Sequence, residues 1–528
     1  MKILALLISL FLMPSLFGQN TMILFLNNKG AVQSNIEWNN FLSERSLERR
    51  AKKNIPFDAR DQPLGSVYLE ELRIDGVILN ISKWLNAVKY SSELTASELL
   101  DKYSFIERVQ VIKAFKTSNI TKDVLIEKAL DYGTATDQIR QLNLDCLHAE
   151  GYTGNGVYLA VIDAGFTNMD NVSYFDSLYT NNRVLDTYDF VSNSTNVYGN
   201  SGHGTMVSSC IVGEKHGADN YIGTAKDVDI ALYRSEKGDT ESIIEEFDLV
   251  LALERCDSVG VDIANISLGY IDFDDSLDNH LYADFDGETT VAALGVNAAA
   301  SKGIAVVVSA GNSGPDYIST PCDADSAFCV GAVDSLGAYA FFSSVGPSAD
   351  GQVKPDVVAT GFLAYVVTPS DTVEHANGTS FSSPIMCGAA ACLIEANPSS
   401  SVMEIFDAIR ASADQYLNPD SLRGYGLPDF CLAHGILNGS VSISEKVKND
   451  FELFPNPTSD FITVKLRAEK ILSVELINEL GQRVNIPRKI EMGEYFRVDL
   501  SSVVKGIYTL RIDLVDGSLL HKKVLIQD

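Results

Sequence analysis

Three residues of the types that act together in nucleophilic catalysis lie in glycine-containing segments of the chain. Asp163 is followed two residues later by a glycine, His203 lies between two glycines, and Ser380 follows a Gly-Thr pair. An imidazole can accept a serine proton while a carboxylate orients the imidazole. Each segment alone is more typical of an ordinary turn or loop. Together they predict a site for nucleophilic catalysis that uses the Ser380 hydroxyl.

Regular elements are predicted around all three residues. Asp163 follows the apolar run Val157 to Ile162, and parallel sheets place their ligands just beyond the ends of such strands. A helix-forming run begins soon after His203, so the ring is expected to project from a helix start. Ser380 opens a helical stretch in which Pro384 is expected to lie in the first turn, where its missing N–H costs no hydrogen bond.

The region from 132 to 438 is predicted to be one α/β domain. Short apolar runs alternate there with longer helical patterns, which is typical of parallel strands buried on both faces. The predicted strands are Val157 to Ile162, Val228 to Tyr233, Ile263 to Leu268, Ile304 to Ser309 and Phe328 to Val333.

These motifs, in the order Asp, His, Ser, resemble those of the subtilisin family. The segment Ser309 to Gly314 resembles the family's oxyanion segment, with Asn312 at the asparagine position. The resemblance implies a subtilisin-like serine endopeptidase in which Asn312 and the Ser380 N–H stabilise the oxyanion. It also implies that substrate is bound by Ser267, Leu268, Gly269, Ala310 and Gly311. Ala164 departs from the family pattern, which more often has Ser or Thr there.

The same residues are compatible with other functions to different degrees. The main rival is a surface protein that uses an inactive subtilase fold as a binding platform, although such a protein has no need of a complete triad and Asn312. An aspartic protease would need a second motif comparable to that of Asp163, and the sequence has none. Gly154 to Gly156 precedes its strand and lacks a third glycine, so it is not a dinucleotide fingerprint.

Residues 1–131 are predicted to be removed or inhibitory. Residues 1–18 have the charged start and short apolar run of a secretory signal. Residues 19–131 form a small α+β pro-segment, with a strand at Thr21 to Leu26, a helix at Leu42 to Lys53 and a strand at Arg73 to Ile81. The segment occupies the position of a subtilase propeptide, so the chain's own propeptide is an expected partner.

The polar linker 439–449 precedes a small β-sandwich predicted over residues 450–528. Predicted strands include Phe461 to Leu466 and Tyr495 to Leu500. The motifs at 454–457, 505–508 and 522–523 resemble C-terminal sorting domains of the type IX secretion system. The resemblance implies that the type IX machinery is a partner and that the protein is secreted or held at the cell surface of a Gram-negative bacterium.

The negative net charge of the chain limits the classes of molecule that it can bind. A net charge of −29 leaves no basic face for phosphates, which argues against nucleic acid as a partner. Polypeptide substrates are what the family resemblance implies. No cofactor is required. A structural calcium ion is one reading of an Asp-rich stretch and a solvated loop is the other; its residues are Asp272, Asp274, Asp275, Asp278, Asp284 and Asp286.

The eight cysteines show no zinc-like spacing. Cys322 and Cys329 flank a short polar loop and could form a disulfide or remain reduced. Cys387 and Cys392 lie in an Ala-rich helical run and are predicted to be buried thiols.

Overall fold

The structure is a computed structural model that describes residues 20–31, 37–112, 132–238, 240–440 and, with short gaps, 451–527. The chain divides into two compact units, Met1–Asn438 and Gly439–Asp528. The predicted signal segment 1–18 and residues 441–449 of the predicted linker lie outside the described residues. None of the described helices combines the length and apolar character that crossing a bilayer needs.

The first unit begins with a four-stranded antiparallel sheet in the order β2-β3-β1-β4. Because strand side chains alternate between faces, Met22 and Leu24 pack under the helices while Ile23 faces the larger domain. The elements are β1 Asn20–Leu26, α1 Glu44–Lys52, α2 Ser66–Asp75, β2 Gly76–Ser82, β3 Ala87–Ser92, α3 Ala96–Lys102 and β4 Ile106–Val111.

The strand predicted at Arg73 to Ile81 is wrong in its first three residues. Helix α2 continues through Asp75, and the strand begins only at Gly76. Gly76 lies so close to strand β3 that a Cβ atom on it would come within 2.4 Å of the Ser91 carbonyl oxygen. The absence of a side chain therefore lets the chain pass directly from the helix into the sheet.

The rest of the first unit is built around a seven-stranded sheet in the order β13-β12-β11-β10-β5-β9-β6, in which all pairs are parallel. The strands are β5 Tyr158–Asp163, β6 Val184–Asp189, β9 Asp229–Arg234, β10 Ile263–Ile266, β11 Ala305–Ser309, β12 Ala327–Val333 and β13 Val357–Thr360. Two short pairs lie outside this sheet, namely β7 Glu214–Lys215 with β8 Tyr221–Ile222 and β14 Ala364–Val367 with β15 Val373–Ala376.

Helices cover both faces of this sheet. In β5, Leu159 and Val161 pack towards α7 (His203–Val212) and α10 (Thr379–Ala396). Ala160 and Ile162 pack towards α8 (Ile244–Val259) and α9 (Val291–Ser301). Burial on both faces explains why the strands are continuous apolar runs, and it confirms the predicted α/β fold class. The helices are α4 Thr136–Arg140, α5 Asp145–Ala149, α6 Asp176–Thr180, α7 His203–Val212, α8 Ile244–Val259, α9 Val291–Ser301, α10 Thr379–Ala396, α11 Val402–Ser412 and α12 Phe430–Leu437.

The antiparallel N-terminal sheet packs on α8. Ile23, Trp84 and Ala87 share an apolar core with α8 residues. At the same contact the Glu254 carboxylate, on α8, accepts hydrogen bonds from the Ser82 hydroxyl at 2.6 Å and the Trp84 N–H at 3.0 Å. The N-terminal segment is therefore docked on the larger domain through both apolar and polar groups.

Charged side chains extend this contact around α8. Asp257 is fully buried and binds the guanidinium groups of Arg49 and Arg50, each at 2.6 Å. Lys89 pairs with Asp248 at 2.9 Å. A buried charge is tolerated only when it is paired, so each of these charges depends on its partner while the N-terminal segment is docked.

The second unit is a β-sandwich, as predicted, with no helix among its described residues. Its two antiparallel sheets have the orders β16-β17-β21-β20 and β19-β18-β22-β23. Val464, Leu476 and Val498 belong to the core between them. The strands are β16 Phe451–Phe454, β17 Phe461–Leu466, β18 Ile471–Asn478, β19 Arg483–Val484, β20 Lys489–Met492, β21 Tyr495–Asp499, β22 Gly506–Leu514 and β23 Leu519–Ile526.

Two disulfides are formed. Cys322 pairs with Cys329, which resolves the alternative that the sequence left open, and Cys146 pairs with Cys431 across 285 residues. Cys387 and Cys392 are buried thiols, as predicted. Burial raises the pKa of both thiols well above the usual value, so they remain protonated.

Candidate active site

Asp163 is the last residue of β5, and its side chain is fully buried at the carboxyl edge of the sheet. Its Oδ1 accepts the Ala164 N–H at 2.8 Å. Gly165 then turns the chain with φ +145°, and a Cβ atom there would come within 2.5 Å of the Gly199 carbonyl oxygen. The sharp turn after the strand therefore depends on glycine and fixes the carboxylate at the rim.

His203 is the first residue of α7, as predicted, and its ring points to Asp163. The imidazole Nδ1 lies 2.9 and 3.0 Å from the two Asp163 carboxylate oxygens. An ionised carboxylate only accepts hydrogen bonds, so Nδ1 carries the proton and Nε2 is left as the basic nitrogen. Burial opposes charging of the ring, but the charge of Asp163 and its hydrogen bond outweigh burial and raise the pKa of His203 above 6.5.

Ser380 is the second residue of α10, because the helix begins at Thr379 rather than after the serine. Pro384 consequently lies inside the helix, beyond the first turn where it was expected. Its missing N–H would otherwise have bonded to the Ser380 carbonyl oxygen. That oxygen instead accepts the Ser267 hydroxyl at 2.9 Å, which ties the helix start to the segment after β10.

Asn312 lies beside the start of α10. Its Oδ1 accepts the Thr379 N–H at 2.8 Å. A backbone N–H can only donate, so this bond identifies the amide oxygen and leaves Nδ2 as the donor. Gly311 precedes it with φ +107°, a left-handed conformation that favours glycine.

Ser380 and Asn312 line one cavity of about 290 Å³. The predicted substrate-binding residues Ser267, Leu268, Gly269 and Gly311 line it too. Ala310 differs, because its side chain is fully buried in the core and its backbone bonds to Val330 and Ser319. It supports the cavity from behind and does not line it.

The remaining feature of the site is the relation between the Ser380 hydroxyl and the His203 imidazole. In the described residues no hydrogen bond joins the Ser380 hydroxyl to the His203 imidazole, although the rings of His203 and Phe381 lie 5.9 Å apart between centroids. Such bonds are often long in the absence of substrate and tighten in the complex.

Several supporting residues were missed by sequence reasoning. Thr379 orients Asn312, and Arg234, buried at the end of β9, donates to the Ala164 carbonyl at 3.1 Å and to Asp189 at 2.9 Å. Ser383 donates to Asn265 at 2.8 Å, and Asn265 in turn donates to Ser267 at 2.9 Å. Of these residues, Arg234 could have been found from the sequence. It follows a predicted buried apolar strand, and a charged side chain there needs an acidic or carbonyl partner.

The Asp-rich stretch does not fit a shared calcium ion. Asp272 accepts from Asn279, Asp284 accepts the Leu281 N–H, and Asp286 accepts two backbone N–H groups. These carboxylates serve the turns of their own loop. In the described part of the chain, no three or more His, Cys, Asp or Glu side chains are grouped as metal ligands.

The sequence profile of the subtilase family matches residues 154–426, which is more than half of the chain. The chain belongs to the subtilase family. The profile of the peptidase S8 propeptide domain of Bacteroidota matches residues 21–125, and that of a secretion system C-terminal sorting domain matches residues 452–527. The subtilase is thus a serine protease of this family with a propeptide domain and a sorting domain.

Curated relatives of this subtilase include subtilisin DY of Bacillus licheniformis, 30% identical over 52% of the chain and 89% of the relative. Subtilisin BL of Lederbergia lenta is 28% identical over 55% of the chain and 94% of the relative. Among solved structures, MycP1 from Mycobacterium smegmatis is 20% identical, covers 61% of the chain and 89% of its own, and has a TM-score of 0.46.

Proposed function

We propose that this subtilase is a secreted endopeptidase in which Asp163, His203 and Ser380 form the catalytic triad. The observation that carries the proposal is the pairing of Asp163 with His203 Nδ1 at 2.9 Å, next to a cavity that holds both Ser380 and Asn312. A binding platform has no need of a correctly oriented imidazole and an oriented amide beside a helix-start serine.

The reaction follows from the proton positions. His203 Nε2 takes the Ser380 hydroxyl proton while the oxygen attacks the carbonyl carbon of a peptide bond. Asp163 holds the ring in the tautomer with Nδ1 protonated and stabilises the imidazolium. The Asn312 Nδ2 group and the Ser380 N–H, in the first turn of α10, donate to the oxyanion. His203 then protonates the leaving amine, and water hydrolyses the acyl-enzyme by the same steps.

Ser267, Leu268, Gly269 and Gly311 bind the substrate on the acyl side of the scissile bond. Their presence in the lining of the Ser380 cavity supports this role. Ala310 contributes only through its backbone, since its carbonyl oxygen accepts the Ser319 N–H at 3.1 Å. The reaction requires no cofactor.

The remaining segments serve maturation and export. Residues 1–18 are a signal peptide, and residues 19–131 are a propeptide that blocks residues 132–438 until it is cut away. The apolar contact with α8 and the buried pairs between Asp257 and two arginines support this docking. After the linker 439–449, residues 450–528 present the protein to the type IX secretion machinery, which releases it or leaves it at the cell surface.

The activity test is hydrolysis of casein by the matured protein, with product peptides read by mass spectrometry. Internal cleavage at many positions is expected of an endopeptidase. The Asp163→Asn variant should cleave the same bonds far more slowly, because the ring loses its orientation and its counter-charge. Casein left intact by folded, matured protein would favour the binding-platform alternative.

A further inference from the structure

The cavity beside Ser380 is acidic, and this suggests which substrates it accepts, given the proposed function on which this inference rests. Two carboxylates, Glu241 and Asp272, belong to its lining, and none of the described residues that line it is basic. Leu268 and Ile271 add apolar surface. An apolar passage with carboxylates suits a long side chain that ends in a positive charge.

The lining of the cavity includes a buried hydroxyl group, that of Ser319, without a hydrogen-bond partner among the described residues. Ser319 is only 3% exposed. Cβ atoms built on Gly269 and Gly311 would lie 2.1 and 3.2 Å from this oxygen, so it lies between the two backbone walls of the cavity. A buried polar atom without a partner calls for a ligand group with hydrogen-bonding capacity.

Further carboxyl groups interact with Glu241, and burial and mutual repulsion favour their neutral forms. Burial and the charge of Asp274 raise the pKa of Glu241. Burial, with the charges of Glu245 and Glu241, raises the pKa of Glu236 well above the usual value. Burial also raises the pKa of the neighbouring Glu245 to about 7, against the opposing effect of the exposed Lys237. Acidic groups that repel one another are stabilised when a cation arrives.

We propose that this cavity binds a lysine or arginine side chain from the residue immediately before the scissile bond. The carbonyl carbon of that residue must lie about 3 Å from Ser380 Oγ to react, so its side chain leaves the backbone beside the cavity that Ser380 lines. The aliphatic stem packs against Leu268 and Ile271. Glu241 and Asp272 pair with the charged end, and Ser319 Oγ accepts one of its N–H groups. An acidic side chain is repelled.

The test uses the matured protein and four peptides that differ only in the residue before the scissile bond: lysine, arginine, norleucine and glutamate. Norleucine has nearly the lysine stem without the charge. We expect kcat/KM to be about tenfold or more higher for lysine and arginine than for norleucine, and lowest for glutamate. Equal values for lysine and norleucine, or a preference for leucine-like residues, would overturn the proposal.

A variant pair assigns the preference to the cavity. Glu241→Gln combined with Asp272→Asn should lower the lysine-to-norleucine ratio by about tenfold, whereas Glu288→Gln, an exposed carboxylate outside the lining, should leave it unchanged. Labelling by a fluorophosphonate probe verifies that each variant is folded and reactive. A ratio that stays high in the labelled double variant contradicts the proposal.

The two hypotheses fail differently. Matured enzyme that labels and cleaves all four peptides at similar rates retains the proposed function and loses only the lysine and arginine preference. Folded protein that neither labels nor cleaves any peptide would overturn the proposed function and this inference with it.

Discussion

The side-chain oxygen of Asn312 accepts the backbone N–H of Thr379 at 2.8 Å, and this bond turns the amide so that its NH₂ group is free to donate. Thr379 precedes Ser380, so the donor and the nucleophile are held by the same helix start. The same Oδ1 also accepts the Thr379 hydroxyl at 3.1 Å. The orientation of this amide is therefore built into the fold before any substrate binds.

Replacing Asn312 with alanine should lower kcat by about 10²–10³-fold with little change in KM, as for the corresponding donor of subtilisin, because the amide acts mainly on the transition state. Steady-state kinetics on a peptide substrate provides the measurement. Asn171→Ala, an exposed asparagine in a short 3₁₀ turn, is the control. A kcat within a factor of about two of the parent would contradict the role of Asn312.

The pH dependence of kcat/KM should follow the protonation of His203. The base must be neutral, and Asp163 raises the pKa of the ring, so kcat/KM should rise with pH through a pKa above 6.5. In Asp163→Asn the attraction that favours the protonated ring is gone, so the acidic limb should move to lower pH while kcat falls by about 10⁴-fold.

The control for the pH profile is His216→Asn, since this exposed histidine pairs with Glu214 and lies outside the candidate active site. Its profile should match that of the parent. An acidic limb that shifts in His216→Asn, or that stays in place in Asp163→Asn, would show that another group controls the profile.

Asp257→Asn should weaken inhibition by the propeptide. The variant removes the carboxylate that binds both Arg49 and Arg50, although Arg50 keeps its pair with Asp61, and removing one partner of a buried pair costs about 3–5 kcal/mol. The inhibition constant of added segment 20–131 should therefore rise by at least about 10²-fold. Asp219→Asn, an exposed residue between β7 and β8, should not change it. An unchanged constant for Asp257→Asn would mean that the arginine pairs do not hold the propeptide.

Deleting residues 450–528 should separate export from catalysis. The sandwich has its own core, so the purified remainder should keep a kcat/KM close to that of the parent. In the native host the truncated protein should stay inside the outer membrane, as judged by cell fractionation and immunoblotting for the protease domain. Abundant truncated protein in the culture medium would rule out the sorting role and favour a substrate-binding module.

The positions of Asp163 and His203 could be predicted because each depends on a local pattern, an apolar strand in one case and a helix start in the other. The position of Pro384 inside the helix could not be predicted, because the Ser380 carbonyl oxygen that it leaves without an N–H donor is bonded by Ser267, 113 residues before Ser380. Cys146 and Cys431 are likewise joined only by the fold, whereas Cys322 and Cys329 are separated by a short loop. Ala310 was assigned to the cavity by its neighbours in sequence, but the strand end turns its side chain into the core.

The most direct test of the central claim is covalent labelling of Ser380 by a fluorophosphonate probe, located by mass spectrometry of the digested protein. The account predicts one labelled residue, Ser380, in the matured protein. It also predicts loss of labelling and of nearly all turnover in Ser380→Ala, while Ser370→Ala labels normally. Labelling that persists in Ser380→Ala, or a label on another residue of the parent, would contradict the assignment of the nucleophile.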